Sequence, residues 1–305
     1  CSIPSYRSDL LNEIDLYEEV ARVYGYDNIP TKTFFNVPYS SISTDSNLCE
    51  DILRSSLSNN GFNEHYSNSL YSEKDINFLN DKKAIKLKNP LSKDLEYLRS
   101  SLLPGLLKAV SYNLNRSIDY IKLYEIGSCQ ILDQKKYNLS NENRYINIVW
   151  CGNETKHWKY TNVIDVYSVK GDVELLLKNI GLVNIDYEYK ENEILINTKN
   201  VNLGFVKIIG KKSLRSYNID KQVFLFEMNL DVLKSILRKN KNTYSKTGQY
   251  PSIIRDISFF IDKKYSHNEL VEKIHSYGGE YLDKIKLFDH YISDDFEDNK
   301  KSLAY

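Results

Sequence analysis

Amphipathic helices and alternating strands follow one another along the chain in an irregular order, each bounded by a glycine, a proline or a polar cluster. Over 12–23, Leu16, Val20 and Val23 recur at helical spacing and Gly25 follows where a helix stops, which predicts a short acidic helix. Leu48, Ile52, Leu53 and Leu57 repeat with the same period up to Gly61, a residue type that commonly closes a helix in the left-handed conformation. A further helix begins near Leu102, with Pro104 tolerated in its first turn and Leu103, Leu106, Leu107, Val110 and Leu114 forming the buried stripe. Val173, Leu176, Leu177 and Ile180 mark another over 170–180, and a short one follows over 231–239.

Between these helices the period shortens. Residues 84–88 read as a strand ended by Asn89-Pro90, since proline removes a ladder donor and restricts the residue before it. Residues 121–126, 145–150, 194–196, 201–209 and 223–229 read as further strands. The regular strand-helix alternation of a doubly wound sheet is missing, so a mainly antiparallel α+β layer fits better. Beyond Pro251 the pattern resets: Ile257, Phe259 and Ile261 alternate with Asp256, Ser258 and Asp262, then Leu270, Val271, Ile274 and Tyr277 form a helical stripe that Gly278-Gly279 breaks. Ile285, Leu287 and Phe288 open the next strand, and the order is that of the first part of a ferredoxin-like split βαβ unit, cut before its second helix. The Pro-, Ser- and Thr-rich stretch from Tyr26 to Ser46 suits a linker, and the expected domains are 1–32, 45–240 and 249–305.

With 41 Lys+Arg against 41 Asp+Glu, bulk charge supplies no attraction to nucleic acid or membrane, so any such contact has to come from local patches. No window approaches the roughly 18 apolar residues of a membrane span and no secretory signal opens the chain, so a soluble, cytoplasmic protein is expected. The four cysteines, Cys1, Cys49, Cys129 and Cys151, form no C-x-x-C pair, which argues against a zinc knuckle or a disulfide scaffold. The last residues read as an unfinished strand and the first is not Met, so a fragment of a longer chain is expected.

Candidate chemistry is sparse. Asp9, Asp15, Glu18 and Glu19 gather hard oxygen donors at the start of the first helix, a set that suits Mg²⁺ better than zinc, although from the residues alone an acidic first turn facing solvent is the favoured reading. Gly210-Lys211-Lys212-Ser213 lacks the first glycine and the hydroxyl of a phosphate loop, and no G-x-G-x-x-G is present. The five histidines show no metal or nucleophile spacing. One basic region stands out, Lys207 to Thr247, with ten Lys/Arg against Asp220, Glu227 and Asp231; it reads as an RNA contact or as a solvated face with a lysine-rich linker.

Several stretches taken in order resemble the β subunit of bacterial phenylalanyl-tRNA synthetases. Pro4-Ser5-Tyr6-Arg7-Ser8-Asp9 and Glu13 through Pro30 look like the end of that family's winged-helix-like module. Asn89-Pro90-Leu91-Ser92, Leu98 through Leu107, Asn115-Arg116, Tyr124-Glu125-Ile126-Gly127 and Val169 through Glu174 look like its synthetase-like core. Pro251, Arg255-Asp256, Phe288-Asp289-His290-Tyr291 and Lys301-Ser302-Leu303 resemble its ferredoxin-fold anticodon-binding module. The resemblance implies an antiparallel class II synthetase-like core without its own chemistry, since no F-R-x-E element or ATP-holding arginine stretch is found. It also implies an α subunit that binds ATP and forms the adenylate, a working enzyme of two α and two β chains, tRNA(Phe) as cargo, and a magnesium ion shared with α at Asp9, Asp15, Glu18 and Glu19. Arg255, Phe288 and Tyr291 are the expected tRNA contacts, although Ser252 to Tyr305 carries eight Lys/Arg against eleven Asp/Glu and attracts phosphate poorly. The rival readings are a stand-alone RNA-binding adaptor and a magnesium-dependent hydrolase built on the amino-terminal carboxylates.

Overall fold

The computed structural model describes residues 2–31, 48–132, 140–156, 158–159, 161–182, 185–198, 201–237, 251–292 and 299–305. The chain divides into two compact units, Cys1–Lys241 and Asn242–Tyr305. Of the linker expected from Tyr26 to Ser46, residues 32–46 lie outside the described residues, and so does the whole lysine-rich segment Arg238 to Lys246.

The first unit opens with α1 (Glu13–Tyr24), none of whose residues is buried, and α2 (Leu48–Asn59). Short pieces follow: β1 (Asn63–Glu64), β2 (Leu70–Tyr71), α3 (Glu73–Leu79) and β3 (Tyr97–Leu98). Then come α4 (Leu103–Leu114), the long hairpin strands β4 (Tyr120–Leu132) and β5 (Ser140–Lys156), β6 (Thr161–Val163) and α5 (Val166–Asn179). Strands β7 (Asp186–Tyr189), β8 (Glu193–Thr198) and β9 (Val201–Ile208), helix α6 (Lys211–Arg215), β10 (Val223–Asn229) and α7 (Leu230–Leu237) complete it. The main sheet runs β1-β4-β5-β10-β9-β8-β7, with β6 added to β5, and every pairing is antiparallel except β1 on β4.

Both faces of this sheet are covered, because its strands alternate two apolar sets. Ile126, Ile146, Ile148, Trp150, Phe224, Phe226 and Met228 face α2, α5 and α7 through Leu53, Leu57, Val173, Leu177 and Leu233. On the opposite face Ile121, Leu123, Val149, Cys151, Val223 and Leu225 meet Leu103, Leu106, Leu107 and Val110 of α4, then Leu214, Tyr217 and Ile219 around α6. Asp75 ties this second layer together. It closes the capping box of α3 with Ser72, pairs with Lys108 of α4 at 2.7 Å and accepts the Tyr217 hydroxyl at 3.0 Å.

Two predicted strands come out differently. Residues 84–88 form no ladder: Lys86 makes one isolated bridge to Tyr97, and neighbouring hydrogen bonds join Leu87 to Glu96 and Leu98 to Ile85. In the second unit, β11 (Ser258–Asp262) and α8 (His267–Gly278) match the predicted pattern, but the next strand, β12, is Asp289–Tyr291. Ile285 and Leu287 alternate because they pack into the small core with Leu270, Leu303 and Tyr305, without joining the sheet. With β13 (Lys300–Ala304) the sheet order is β11-β13-β12, antiparallel throughout, which splits the β11-α8-β12 crossover as the ferredoxin-like reading requires.

Candidate functional site

The amino-terminal carboxylates are engaged by donors of the chain itself. Asp15 sits at the third position of α1, and its Oδ2 accepts the backbone N–H of Leu11 at 2.8 Å and of Asn12 at 2.7 Å, half of a capping box. Arg7 folds back over the helix start. Its Nε lies 3.0 Å from Asp9 Oδ1, and its Nη2 lies 2.8 Å from Asp9 Oδ2 and 2.6 Å from Glu19 Oε1. Arg22 adds a contact to Glu19 Oε2 at 2.7 Å. The Arg7 hydrogen bonds hold the carboxyls of Asp9 and Glu19 below the usual range, Glu19 with help from Arg22. Glu18 faces solvent. These residues as arranged do not fit magnesium: two of the four carboxylates share an arginine, one caps the helix and one points away, and no group of three or more His, Cys, Asp or Glu among the described residues is placed to hold a metal ion. The hydrolase reading depends on such a cluster.

In the central sheet the α4 face carries one polar row. Glu125, Asn147 and Glu227 stand directly opposite one another on β4, β5 and β10. Glu125 is buried and takes the Arg99 guanidinium at 2.5 Å and the Ser67 hydroxyl at 2.8 Å, while Arg99 Nε donates to the Ser128 carbonyl. Gly127 leaves room here, since a Cβ at that position would displace the Arg99 guanidinium from its place against Glu125. Asn147 Nδ2 donates to Glu227 at 2.9 Å, and burial pushes the Glu227 carboxyl up.

Next to this row lies a polar cavity of about 330 Å³ lined in part by Arg54, Arg99 and Arg144. Each guanidinium is already matched: Arg54 to Glu64 at 3.0 Å, Arg99 to Glu125, and Arg144 to both oxygens of buried Glu50 at 2.7 Å. Lys234 also reaches Glu50 at 2.8 Å. A triphosphate needs cations in excess, and this cavity has none to spare.

The three-stranded sheet of the second unit contrasts with this arrangement, because α8 covers one face only. Phe259, Ile261, Leu303 and Tyr305 point to α8. On the other face Phe260 and Tyr291 both lie level with Ser302 of the central strand, one on each side of it, 62% and 55% exposed. Of the expected tRNA contacts, Tyr291 therefore belongs to the open face. Phe288 lies exposed just ahead of β12, outside the small core, and Arg255 is exposed three residues before β11 with its Nη1 on the Ile254 carbonyl. Phe260 escaped the sequence reading. The alternation of Ile257, Phe259 and Ile261 already placed it outward, where an aromatic is unusual, and that was the available signal.

Both units match known families in the same order. Residues 29–230 match the phenylalanyl tRNA synthetase beta chain CLM domain, 248–305 the ferredoxin-fold anticodon binding domain, and 1–26 the tRNA synthetase B5 domain. The chain belongs to the phenylalanyl-tRNA synthetase β-chain family. It is 31% identical over 318 aligned residues to the phenylalanine-tRNA ligase beta subunit of Listeria innocua and 29% identical to that of Clostridium tetani, covering 99% and 100% of this chain. It spans 39% of the length of these curated relatives. Among solved structures, two pyrrolysyl-tRNA synthetase chains of Desulfitobacterium hafniense align with TM-scores of 0.52 and 0.51 at 15% identity, covering 63% of this chain and 66% and 68% of theirs. That likeness is one of fold: a class II synthetase-like core, here followed by the ferredoxin-fold unit and preceded by the end of a B5 module. None of the described helices is long and apolar enough to cross a membrane.

Proposed function

We propose that this chain is a non-catalytic part of phenylalanine-tRNA ligase, a cytoplasmic class II enzyme: it scaffolds the α subunit, in an assembly of two α and two β chains, and binds tRNA(Phe) for ATP-dependent attachment of phenylalanine. The observation that carries the reading is the covered synthetase-like sheet. Apolar helices lie on both of its faces, and the arginines of the adjoining cavity are spent on carboxylates, so that cavity offers no free cation to neutralise ATP or its pyrophosphate. ATP and its metal belong on the α subunit. A magnesium ion shared with α at Asp9, Asp15, Glu18 and Glu19 requires Arg7 first to release Asp9 and Glu19.

The tRNA contact falls to the second unit. Its open face presents Phe260 and Tyr291 as a stacking platform of the kind that sequence-tolerant RNA binding uses, with Arg255 and Phe288 at its margins, and the match to an anticodon-binding domain supports it.

Two measurements test the proposal. Phenylalanine-dependent ATP-pyrophosphate exchange is absent for this chain alone and appears when an α-type subunit is added, and affinity purification of the chain brings that subunit with it. Exchange by the chain alone, or recovery of RNA without α, overturns it, the latter in favour of a stand-alone adaptor.

A further inference from the structure

We infer that the first unit carries a second RNA-contact surface, a basic concavity at the α4–α6 end of the central sheet that takes the phosphate-ribose backbone of tRNA at a distance from the anticodon. The inference rests on the tRNA-binding reading above. The concavity has a volume of about 720 Å³, and its cationic lining is Lys211, Arg215 and Lys221. Lys212, next to Lys211 on α6, and Arg116, next to the lining Asn115, are exposed neighbours in the chain; the acids of the lining are Asp119 and Asp220. The whole chain is neutral, so this is a local surplus of charge.

The surface is fixed in shape. Lys211 and Arg215, four residues apart on α6 and both exposed, lie on one side of the helix, and buried Leu214 beside them fixes α6 in place. Tyr217, buried just after α6, anchors it through the hydroxyl bond to Asp75. Lys221 is held by Asp119 at 2.7 Å, and the Arg116 guanidinium stacks on the Tyr112 ring, 3.4 Å from its centre. Lys211, Lys212 and Arg215 make no ion pair among the described residues, unlike the arginines of the smaller cavity. Their charges are available to a ligand.

The lining names the ligand class. No aromatic side chain is among the lining residues, and the polar groups beside the cations are Asn115 and Asn218, which suit phosphate and ribose oxygens. Such a contact reads no sequence and depends strongly on salt.

The test uses the full chain and two probes, whole tRNA and an isolated anticodon stem-loop, titrated by fluorescence anisotropy at several salt concentrations. The double reversal Lys211→Glu/Arg215→Glu, both exposed, should weaken whole tRNA on the order of tenfold at low salt and flatten the slope of log affinity against log salt by roughly 1.5, with hairpin binding unchanged. Circular dichroism checks that the fold is intact. Unchanged whole-tRNA affinity and slope overturn the inference while hairpin binding leaves the anticodon reading standing, and an equal loss on both probes also overturns it. Should the parent chain bind tRNA through this surface but not the hairpin, the anticodon reading falls and the inference stands; binding of neither removes both.

Discussion

The two sheets of this molecule solve opposite problems. The eight-stranded sheet is buried between two apolar layers, and even its charged groups, Glu125, Glu50, Arg99 and Arg144, are turned on one another. The three-stranded sheet buries one face under α8 and leaves Phe260 and Tyr291 on the other. On the reading proposed above, the filled sheet is the scaffold and the half-covered one offers its open face to RNA, two uses that the fold by itself does not dictate.

The comparison can be broken hardest at the core. Trp150→Ala, with the ring removed from contact with Phe62 and with Asp172, should cost about 3–5 kcal/mol in urea unfolding of the first unit. A loss under about 1 kcal/mol would mean that the layer is not packed as described.

Glu50→Gln comes next, at about 3 kcal/mol near neutral pH, because it leaves Arg144 and Lys234 without their buried partner. Burial works to raise the Glu50 carboxyl, but the hydrogen bonds from Arg144 and Lys234 outweigh it and bring it from 4.5 down to about 2. A carboxyl depressed by folding stabilises above its unfolded value and loses that contribution as pH falls toward its folded one. The gap between the parent and Glu50→Gln should therefore narrow from pH 4.5 to about 2, and a gap independent of pH would contradict the assignment.

On the open sheet the expectation reverses. Phe260→Ala and Tyr291→Ala should each change stability by less than about 0.5 kcal/mol yet weaken anticodon stem-loop binding by about 1–3 kcal/mol. A stability loss as large as that of Trp150→Ala would show these rings to be core. The smallest effect belongs to the thiols. Burial pushes Cys151 up to about 11 and Cys129 up to about 12, so neither should react with a thiol reagent at pH 8 until the first unit unfolds.

What the sequence disclosed follows the range of each interaction. The stripe of α4 was readable because Leu103, Leu106, Leu107 and Val110 are neighbours on one helix, with Pro104 at its start. α3 was missed although Ser72 and Asp75 spell a capping box, because seven residues with Ile76, Phe78 and Leu79 crowded at one end show little period. The long start of β5 was missed because Ser140 to Arg144 is polar throughout, whereas the matching end of β4 did carry a signal, Cys129 and Ile131 alternating with Ser128 and Gln130, that went unread. At the amino terminus, spacing along α1 counted carboxylates correctly and still could not reveal Arg7, which reaches Glu19 across twelve residues. The basic residues were visible as composition; that Leu214 and Tyr217 would pin them into one concave surface needed the fold.

β13 lies between β11 and β12 although it is the last of the three to be made. On the ribosome, β11 and β12 have no direct partner in each other, so α8 has nothing complete to dock against until residues 300–304 emerge from the exit tunnel. Docking of α8 on a joined sheet therefore waits for β13, and a nascent chain halted before residues 300–304 is expected to hold Leu270 and Phe259 in reach of chaperones.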